Sequence, residues 1–295
     1  MMRAAQARGH GVFVCEQPQL HWSNGGSTGT VATQALRLSL ADNDEDWYRA
    51  HEAAGRPLFE FDAVLMRKDP PFDLEYVVST WLLSAAAREG ARVFNAPDAI
   101  RDHNEKIAIA EFPQFVTPTV VTREPQRLQA FIDAERDVVV KRLDVMGGEN
   151  IFRVRADDPN RNVIVEIMSQ HGSRTVMAQR YIPQIVEGDK RVLLIDGKLV
   201  PHCLARIPKP GESRGNLAAG ARGVAQPVTE RHREIAAALG PRLAARGLLL
   251  VGLDVIGDYV TEVNVTSPTG FREIQDQTGF DVAGMFMDAL ESKLS

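Results

Sequence analysis

Leu248-Leu249-Leu250-Val251-Gly252-Leu253-Asp254-Val255-Ile256-Gly257-Asp258-Tyr259-Val260-Thr261-Glu262-Val263-Asn264-Val265 reads as two apolar strands folded back on one another around Gly257-Asp258. Asp254, Glu262 and Asn264 stand out among the aliphatic residues. A charge held in an apolar strand costs free energy unless something pairs with it. Glu262 and Asn264 are two residues apart and therefore share a strand face. Whether Asp254 joins them depends on the turn. A two-residue loop, Gly257-Asp258, pairs Ile256 with Tyr259 and puts Asp254 on the face opposite Glu262. A three-residue loop ending at Tyr259 pairs Ile256 with Val260 and sets Asp254 directly across from Glu262, because one slip in register flips every side chain. Facing carboxylates repel unless a cation lies between them. Asp, Glu and an Asn amide are hard oxygen ligands, the set that suits magnesium carrying a nucleotide's phosphates. On spacing alone, a salt bridge near the turn and two surface polar residues fit equally well.

Outward from the hairpin, Val265-Thr266-Ser267-Pro268-Thr269-Gly270-Phe271-Arg272 leads into a helix. Hydroxyls at a helix start bind an anion or simply cap the helix. Upstream, a helix over 230–246 precedes the hairpin, and 209–223 is a polar, glycine-rich stretch with three arginines and a lysine in and beside it. It is long for a passive connection and reads as a lid that orders over an anion. Asp196-Gly197 between apolar runs marks another hairpin. Asp189 and Arg191 share one strand face, and Met177-Ala178-Gln179-Arg180-Tyr181-Ile182-Pro183 is an extended segment able to offer backbone groups to an adenine edge. Lys141 lies inside the β-branched run Val138-Val139-Val140-Lys141-Arg142, ahead of Gly147-Gly148 and a second strand over 151–155. The glycines allow backbone amides close to a ligand. No helix opens after them, which excludes a Walker A loop and a dinucleotide fingerprint. Taken singly, ordinary strands and turns account for the Lys141 and Gln179 stretches, whereas the cations of 209–223 favour an anion.

Before residue 100 the pattern alternates: a helix over 1–11, strands over 12–15, 61–67 and 92–95, and a helix over 75–89. That alternation predicts an open, largely parallel α/β sheet. Residues 104–112 look helical. The 295 residues carry a net charge of −5, which argues against nucleic-acid or anionic-membrane partners. Two cysteines, Cys15 and Cys203, form no disulfide framework and suit a reducing compartment. No apolar run reaches membrane-spanning length, and the cytoplasm is the expected location.

Each motif is weak alone; their order is specific. Asn104-Glu105-Lys106, Lys141 with Gly147-Gly148, Gln179-Arg180-Tyr181, Gly188-Asp189-Lys190-Arg191, Leu204-Ala205-Arg206-Ile207-Pro208, Arg214-Gly215-Asn216-Leu217-Ala218-Ala219-Gly220, Gly252-Leu253-Asp254 and Glu262-Val263-Asn264-Val265-Thr266-Ser267-Pro268 resemble the bacterial glutathione synthetases, members of the ATP-grasp superfamily. The run Leu65-Met66-Arg67-Lys68-Asp69-Pro70-Pro71-Phe72-Asp73 is similar to their first domain. The resemblance implies an α/β chain in three parts: an N-terminal Rossmann-like domain over 1–101, an ATP-grasp lid subdomain over 102–180 and a catalytic subdomain over 181–295. It implies ATP-dependent ligation of γ-glutamylcysteine and glycine through an acyl phosphate, with magnesium, or manganese in its place. Lys106, Lys141, Gly147 and Gly148 would contact the nucleotide's phosphates; Gln179, Arg180, Tyr181, Ile182 and Asp189 complete the nucleotide site. Asp254, Glu262 and Asn264 would hold the metal. Arg191, Arg206, Arg214 and Asn216 would serve the reacting groups, and Arg67, Asp69, Arg206, Arg214, Ser267 and Thr269 the substrate. A homo-oligomer is implied, a tetramer before a dimer, with no nucleic acid or membrane partner. Another ATP-grasp carboxylate–amine ligase and a nucleotide-binding protein without catalysis are the alternatives.

Two departures stand out. The family carries proline after the phosphate-loop lysine and glycine two places before the glycine pair, where this chain has Arg142 and Val145. The family also has a first strand and a substrate-side loop ahead of the helix at which this chain opens. Without that strand, backbone groups of the first domain lack partners, and the expectation is a misassigned start at Met1 or a shortened chain.

Overall fold

A computed structural model of the chain describes residues 1–145, 150–212, 215–217 and 220–295. The N-terminal part comprises α1 (Met2–Ala7), β1 (Val12–Val14), β2 (His21–Asn24), β3 (Gly29–Leu40), β4 (Tyr48–Pro57), β5 (Val64–Leu65), α2 (Leu74–Arg88), β6 (Val93–Phe94) and α3 (Pro97–Asp102). β3 is the spine of an antiparallel four-stranded sheet, with β1 and β2 along one edge and β4 along the other. Its inward residues, among them Val31, begin a core completed by Leu58, Tyr76, Leu83 and Ile100. Among the described residues the only parallel pairing is β5 with β6. The expected largely parallel sheet is therefore an antiparallel meander beside one short parallel pair. β2 and most of β4 are exposed, so they carry no alternation of apolar and polar residues by which they could be read.

The next part runs β7 (Thr119–Thr122), α4 (Pro125–Glu135), β8 (Asp137–Arg142), β9 (Ile151–Arg155), α5 (Arg161–Met168) and β10 (Val176–Arg180), in the antiparallel order β7-β10-β8-β9. Val138 and Val140 face Leu128, Ile132 and Val165 of the covering helices. The period of two then turns Val139 and Lys141 to the opposite face, where both line a cleft. The helix expected over 104–112 is only a 3-10 turn, Ile107–Glu111. The Asn104 side chain takes the amides of Lys106 and Ile107, and Pro113 removes the donor a continuing helix needs.

The last part contains β11 (Asp189–Ile195), β12 (Lys198–Leu199), β13 (His202–Ile207), β14 (Arg222–Pro227), α6 (Glu230–Ala245), β15 (Leu250–Ile256), β16 (Tyr259–Asn264), α7 (Phe271–Thr278) and α8 (Val282–Leu294). Its sheet is ordered β14-β13-β11-β15-β16, with β12 beside β11. One face packs on Ile235 and Leu239 of α6, the other on Ile274, Phe286 and Leu290 of α7 and α8. Burial on both sides explains the aliphatic runs Val192–Ile195 of β11 and Leu250–Leu253 of β15. On the α7/α8 face the rows Ile195-Leu193-Arg191 and Leu250-Gly252-Asp254 pass from aliphatic to charged along the strands. The charged ends open on the same cleft as Lys141.

Candidate active site

The β15–β16 hairpin resolves the register question by combining both readings. Ile256 pairs with Tyr259 across the two-residue turn, yet Asp254 pairs with Glu262 and Gly252 with Asn264. A bulge accounts for the difference: the register shifts between Asp254 and Val255, leaving Thr261 as the extra residue. Thr261 Oγ1 donates to the Asp254 carbonyl at 3.2 Å, and its own carbonyl accepts from Lys141 Nζ at 3.2 Å.

Each carboxylate here has cationic partners. Arg191 Nε lies 2.7 Å from Asp254 Oδ1 and Arg206 Nη2 lies 2.9 Å from Asp254 Oδ2. The same Arg206 nitrogen is 2.6 Å from Asp189 Oδ2. Glu262 Oε1 is 3.2 Å from Lys141 Nζ and 3.8 Å from Lys106 Nζ. Lys106, Lys141, Arg191, Arg206 and Asp254 are all buried. Burial alone would raise the Asp254 pKa, but Arg191 and Arg206 outweigh it and hold the carboxyl below its ordinary value. Lys106 and Lys141 do the same for Glu262. Burial lowers the Lys141 ammonium, with Lys106 adding to the shift and Glu262 opposing it. Asp189 goes the other way: burial raises it against Arg206, with Asp254 and Glu262 adding to the rise. Its Oδ1 is a buried oxygen without a hydrogen-bond partner among the described residues.

These groups line a cleft of about 270 Å³. It gathers Asp69, Lys106, Lys141, Gln179, Arg180, Tyr181, Ile182, Asp189, Arg191, Arg206, Asn216, Asp254, Glu262, Asn264, Ser267 and Thr269, all singled out from the sequence. Gly147, Gly148 and Arg214 lie outside the described residues. Arg67 does not line the cleft; its Nη2 donates to the Pro268 carbonyl at 2.8 Å, and burial lowers its pKa. Ser267 Oγ donates to Asp69, so the first part of the chain is fastened to the loop after β16 at two points.

Within the stretch Gln179–Ile182, Gln179 pairs with Val139 and so shares its cleft-facing side of the sheet. Arg180 reaches away to Glu135 at 2.5 Å. The Tyr181 ring lies under the Arg153 guanidinium at 3.6 Å, and Asp137 holds that guanidinium through two bonds of 2.9 and 2.6 Å. Arg142, in the place where proline was expected, forms a two-point pair with Asp144 at 2.9 and 2.6 Å. Glu105, Thr261 and Thr266 also line the cleft without having been assigned roles. Glu105 adjoins Lys106 and Thr266 adjoins Ser267, which is the signal that could have found them; nothing in the sequence announces the bulge at Thr261.

Asp254, Glu262 and the Asn264 amide oxygen fit a hard cation. The two carboxylates are in register across the pair, and Asn264 commits its Nδ2 to the Gly252 carbonyl at 3.1 Å, leaving its oxygen to the cleft. Among the described residues no three His, Cys, Asp or Glu side chains form a metal cage.

The cleft between the two sheets, with buried Lys141 on one and arginine-paired Asp254 on the other, is that of an ATP-grasp ligase. The ATP-grasp ligase PsnB, solved with a minimal precursor, aligns over 100% of this chain and 94% of its own at TM-score 0.65 and 17% identity. The D-cycloserine synthetase DcsG aligns over 81% of this chain and 86% of its own at TM-score 0.62 and 19% identity. Family models for the prokaryotic glutathione synthetase N-terminal domain and ATP-grasp domain match residues 1–101 and 105–279. Glutathione synthetase of Ralstonia nicotianae is 60% identical over 291 residues, 99% of this chain and 89% of that protein. The one of Nitrosomonas europaea is 54% identical over 295 residues, 100% of this chain and 92% of that protein. The chain belongs to the prokaryotic glutathione synthetase family, and it is an ATP-dependent ligase that makes glutathione.

Proposed function

We propose that the cleft joins the cysteinyl carboxylate of γ-glutamylcysteine to the amine of glycine, through an acyl phosphate formed with ATP. The observation that carries this is the register of β15 on β16, which places Asp254 beside Glu262 with Arg191 and Arg206 on one side and Lys106 and Lys141 on the other. No side-chain nucleophile is needed. The substrate carboxylate attacks the γ-phosphorus and ADP leaves; the glycine amine then attacks the acyl carbon and phosphate leaves. The protein's part is positioning and charge neutralisation.

In this reading Lys106 and Lys141 meet the phosphates, and the backbone of Gln179–Ile182 meets the adenine. Arg191 and Arg206 face the oxygens on which charge builds, with Arg214 and Asn216 of the lid closing over them. Arg67 and Asp69 position Ser267 and Thr269 for the substrate carboxylate. Asp254, Glu262 and Asn264 would hold magnesium, or manganese in its place, which neutralises phosphate charge. PsnB solved with a minimal precursor, Mg and ADP, at TM-score 0.61 and 17% identity over 99% of this chain and 92% of its own, supports that choice. The division at 1–101, 102–180 and 181–295, a homo-oligomeric assembly and a cytoplasmic location belong to the same proposal; among the described residues no helix is long and apolar enough to cross a membrane.

The test is phosphate release from ATP and magnesium with both substrates present and each omitted in turn. Release that requires both is expected. Release with another amine in place of glycine would assign a different ligase, and ATP binding without release would assign a nucleotide-binding protein.

A further inference from the structure

Glu105 lies at the junction of all three parts of the site. Its Oε1 accepts three hydrogen bonds, from Val265 N at 2.9 Å, Thr266 N at 3.0 Å and Thr266 Oγ1 at 2.7 Å. Its backbone carbonyl accepts a fourth, from Val263 N at 2.8 Å. The two pinned residues, Val265 and Thr266, sit between Asn264 at the end of β16 and Ser267, which binds Asp69. On either side of Glu105, Asn104 Nδ2 donates to the Leu143 carbonyl at 2.9 Å and Lys106 Nζ donates to the Val145 carbonyl at 2.7 Å. One tripeptide thus grips the chain entering the phosphate loop and the chain leaving the metal strand. A carboxylate that takes several donors makes charge-assisted bonds, stronger than neutral ones. Burial raises the Glu105 pKa, Thr266 opposes the rise, and the nearby Glu262 adds to it. A carboxyl held in such surroundings has a cost, which the three donors offset.

We propose that Glu105 is a positioning residue that sets the spacing between the metal-binding end of β16 and the substrate loop at Ser267. Although it lines the cleft, it acts through the two amides it fixes, which lie between Asn264 and Ser267. The inference rests on the ligase reading above, since it takes Asn264 and Ser267 as parts of one reaction site.

The test uses the full-length enzyme and three variants. Steady-state constants for γ-glutamylcysteine and glycine are compared with the ATP dissociation constant measured without peptide. Glu105→Asp keeps the charge but is one methylene short of the amides; Glu105→Gln keeps an oxygen at the right reach and loses the charge. Glu105→Ala and Glu105→Asp are expected to lose roughly 100-fold in kcat/KM for γ-glutamylcysteine, the cost of a displacement of about 1 Å. In both, ATP binding stays within about threefold, and Glu105→Gln recovers to within about tenfold of the parent. An active Glu105→Asp beside an inactive Glu105→Gln would overturn the proposal in favour of charge. Equal losses in ATP binding and peptide turnover would reduce Glu105 to a structural residue. A parent enzyme that makes no glutathione would instead sink the ligase reading itself, before any variant is compared.

Discussion

Gly252 faces Asn264 across β15 and β16, and the space a side chain would fill is used by Arg191 on its way to Asp254. A Cβ at Gly252 would stand 2.9 Å from Arg191 Cδ and 2.7 Å from Pro268 Cβ, closer than packed carbons approach. Gly252→Ala is expected to cost about 1–3 kcal/mol in stability and to push Arg191 off its carboxylate. Activity should then fall further than stability does, by roughly 100-fold, as read from turnover beside a urea melt. A variant that is destabilised yet turns over at the parent rate would show that Arg191 can move freely. Lys141 gives a second residue-scale outcome. Lys141→Met removes a buried ammonium from the phosphate side and, among the described residues, leaves Glu262 with Lys106 alone, at 3.8 Å. Loss of a hydrogen bond to a charged group costs roughly 1.5–3 kcal/mol, so calorimetry should find ATP binding weaker by roughly 10- to 100-fold. Unchanged ATP affinity would remove Lys141 from the nucleotide site. The residues themselves were legible, because Asp254 and Lys141 are charges inside apolar strands. Their partners were less so: which carboxylate meets which cation depends on β8, β11, β13, β15 and β16 and the turn at Lys106, brought together from distant parts of the chain.

Among elements, the β15–β16 hairpin shows where local reading stops. Its turn follows the two-residue rule, and that rule alone would send Glu262 away from Asp254. The bulge at Thr261 restores the pairing, and a single threonine in a β-branched run gives no sign that it is the extra residue. Helix α6 shows the opposite, an end condition with a readable consequence. His232 accepts the Thr229 amide on Nδ1 at 3.1 Å, so the ring is neutral with its proton on Nε2. Burial drives its pKa down to about 4, with Lys190 and Arg233 adding to the shift and Asp258 opposing it. An ordinary histidine in the unfolded chain titrates near 6.5. Between those values the unfolded chain binds a proton that the folded chain refuses, so stability is lost as pH falls from about 6.5 to about 4. The loss is on the order of 3 kcal/mol. His232→Gln keeps a helix-compatible capping group and removes the titration. Denaturant unfolding of both proteins at about pH 7 and about pH 4.5 checks this. The parent should lose more stability than the variant, and equal losses would mean His232 is protonated in the fold.

At the scale of the whole molecule, the cleft and the outer sheet have different fates. The cleft lies between two sheets whose strands bury both faces or one face firmly, and its fold was legible in apolar runs and turn residues. Of the outer sheet only β1 was, as the strand over 12–15; β2 to β4 were not, and β4 gives almost no buried face to the pattern. That same exposure is what an assembly would use. β4 pairs with β3 along one side only among the described residues, and an unpaired edge invites another chain. Its small residues Ala50, Ala53, Ala54 and Gly55 allow a second backbone to come close. At its start Trp47 and Tyr48 lie against each other, with ring centroids 4.4 Å apart, while remaining exposed. A second copy of this chain laid on β4 would cover the aromatics and complete the edge without touching the cleft, since no residue of β4 lines it. Light scattering of the purified protein is therefore expected to give a multiple of the 32.5 kDa chain mass. Ala53→Lys together with Tyr48→Lys places charge on the edge, as proteins do to keep edges apart. The double variant should shift to a 32.5 kDa species whose ATP affinity matches the parent's. A parent that is already monomeric at micromolar concentration would refute the assembly, and an assembly unmoved by the two lysines would relocate it to another face.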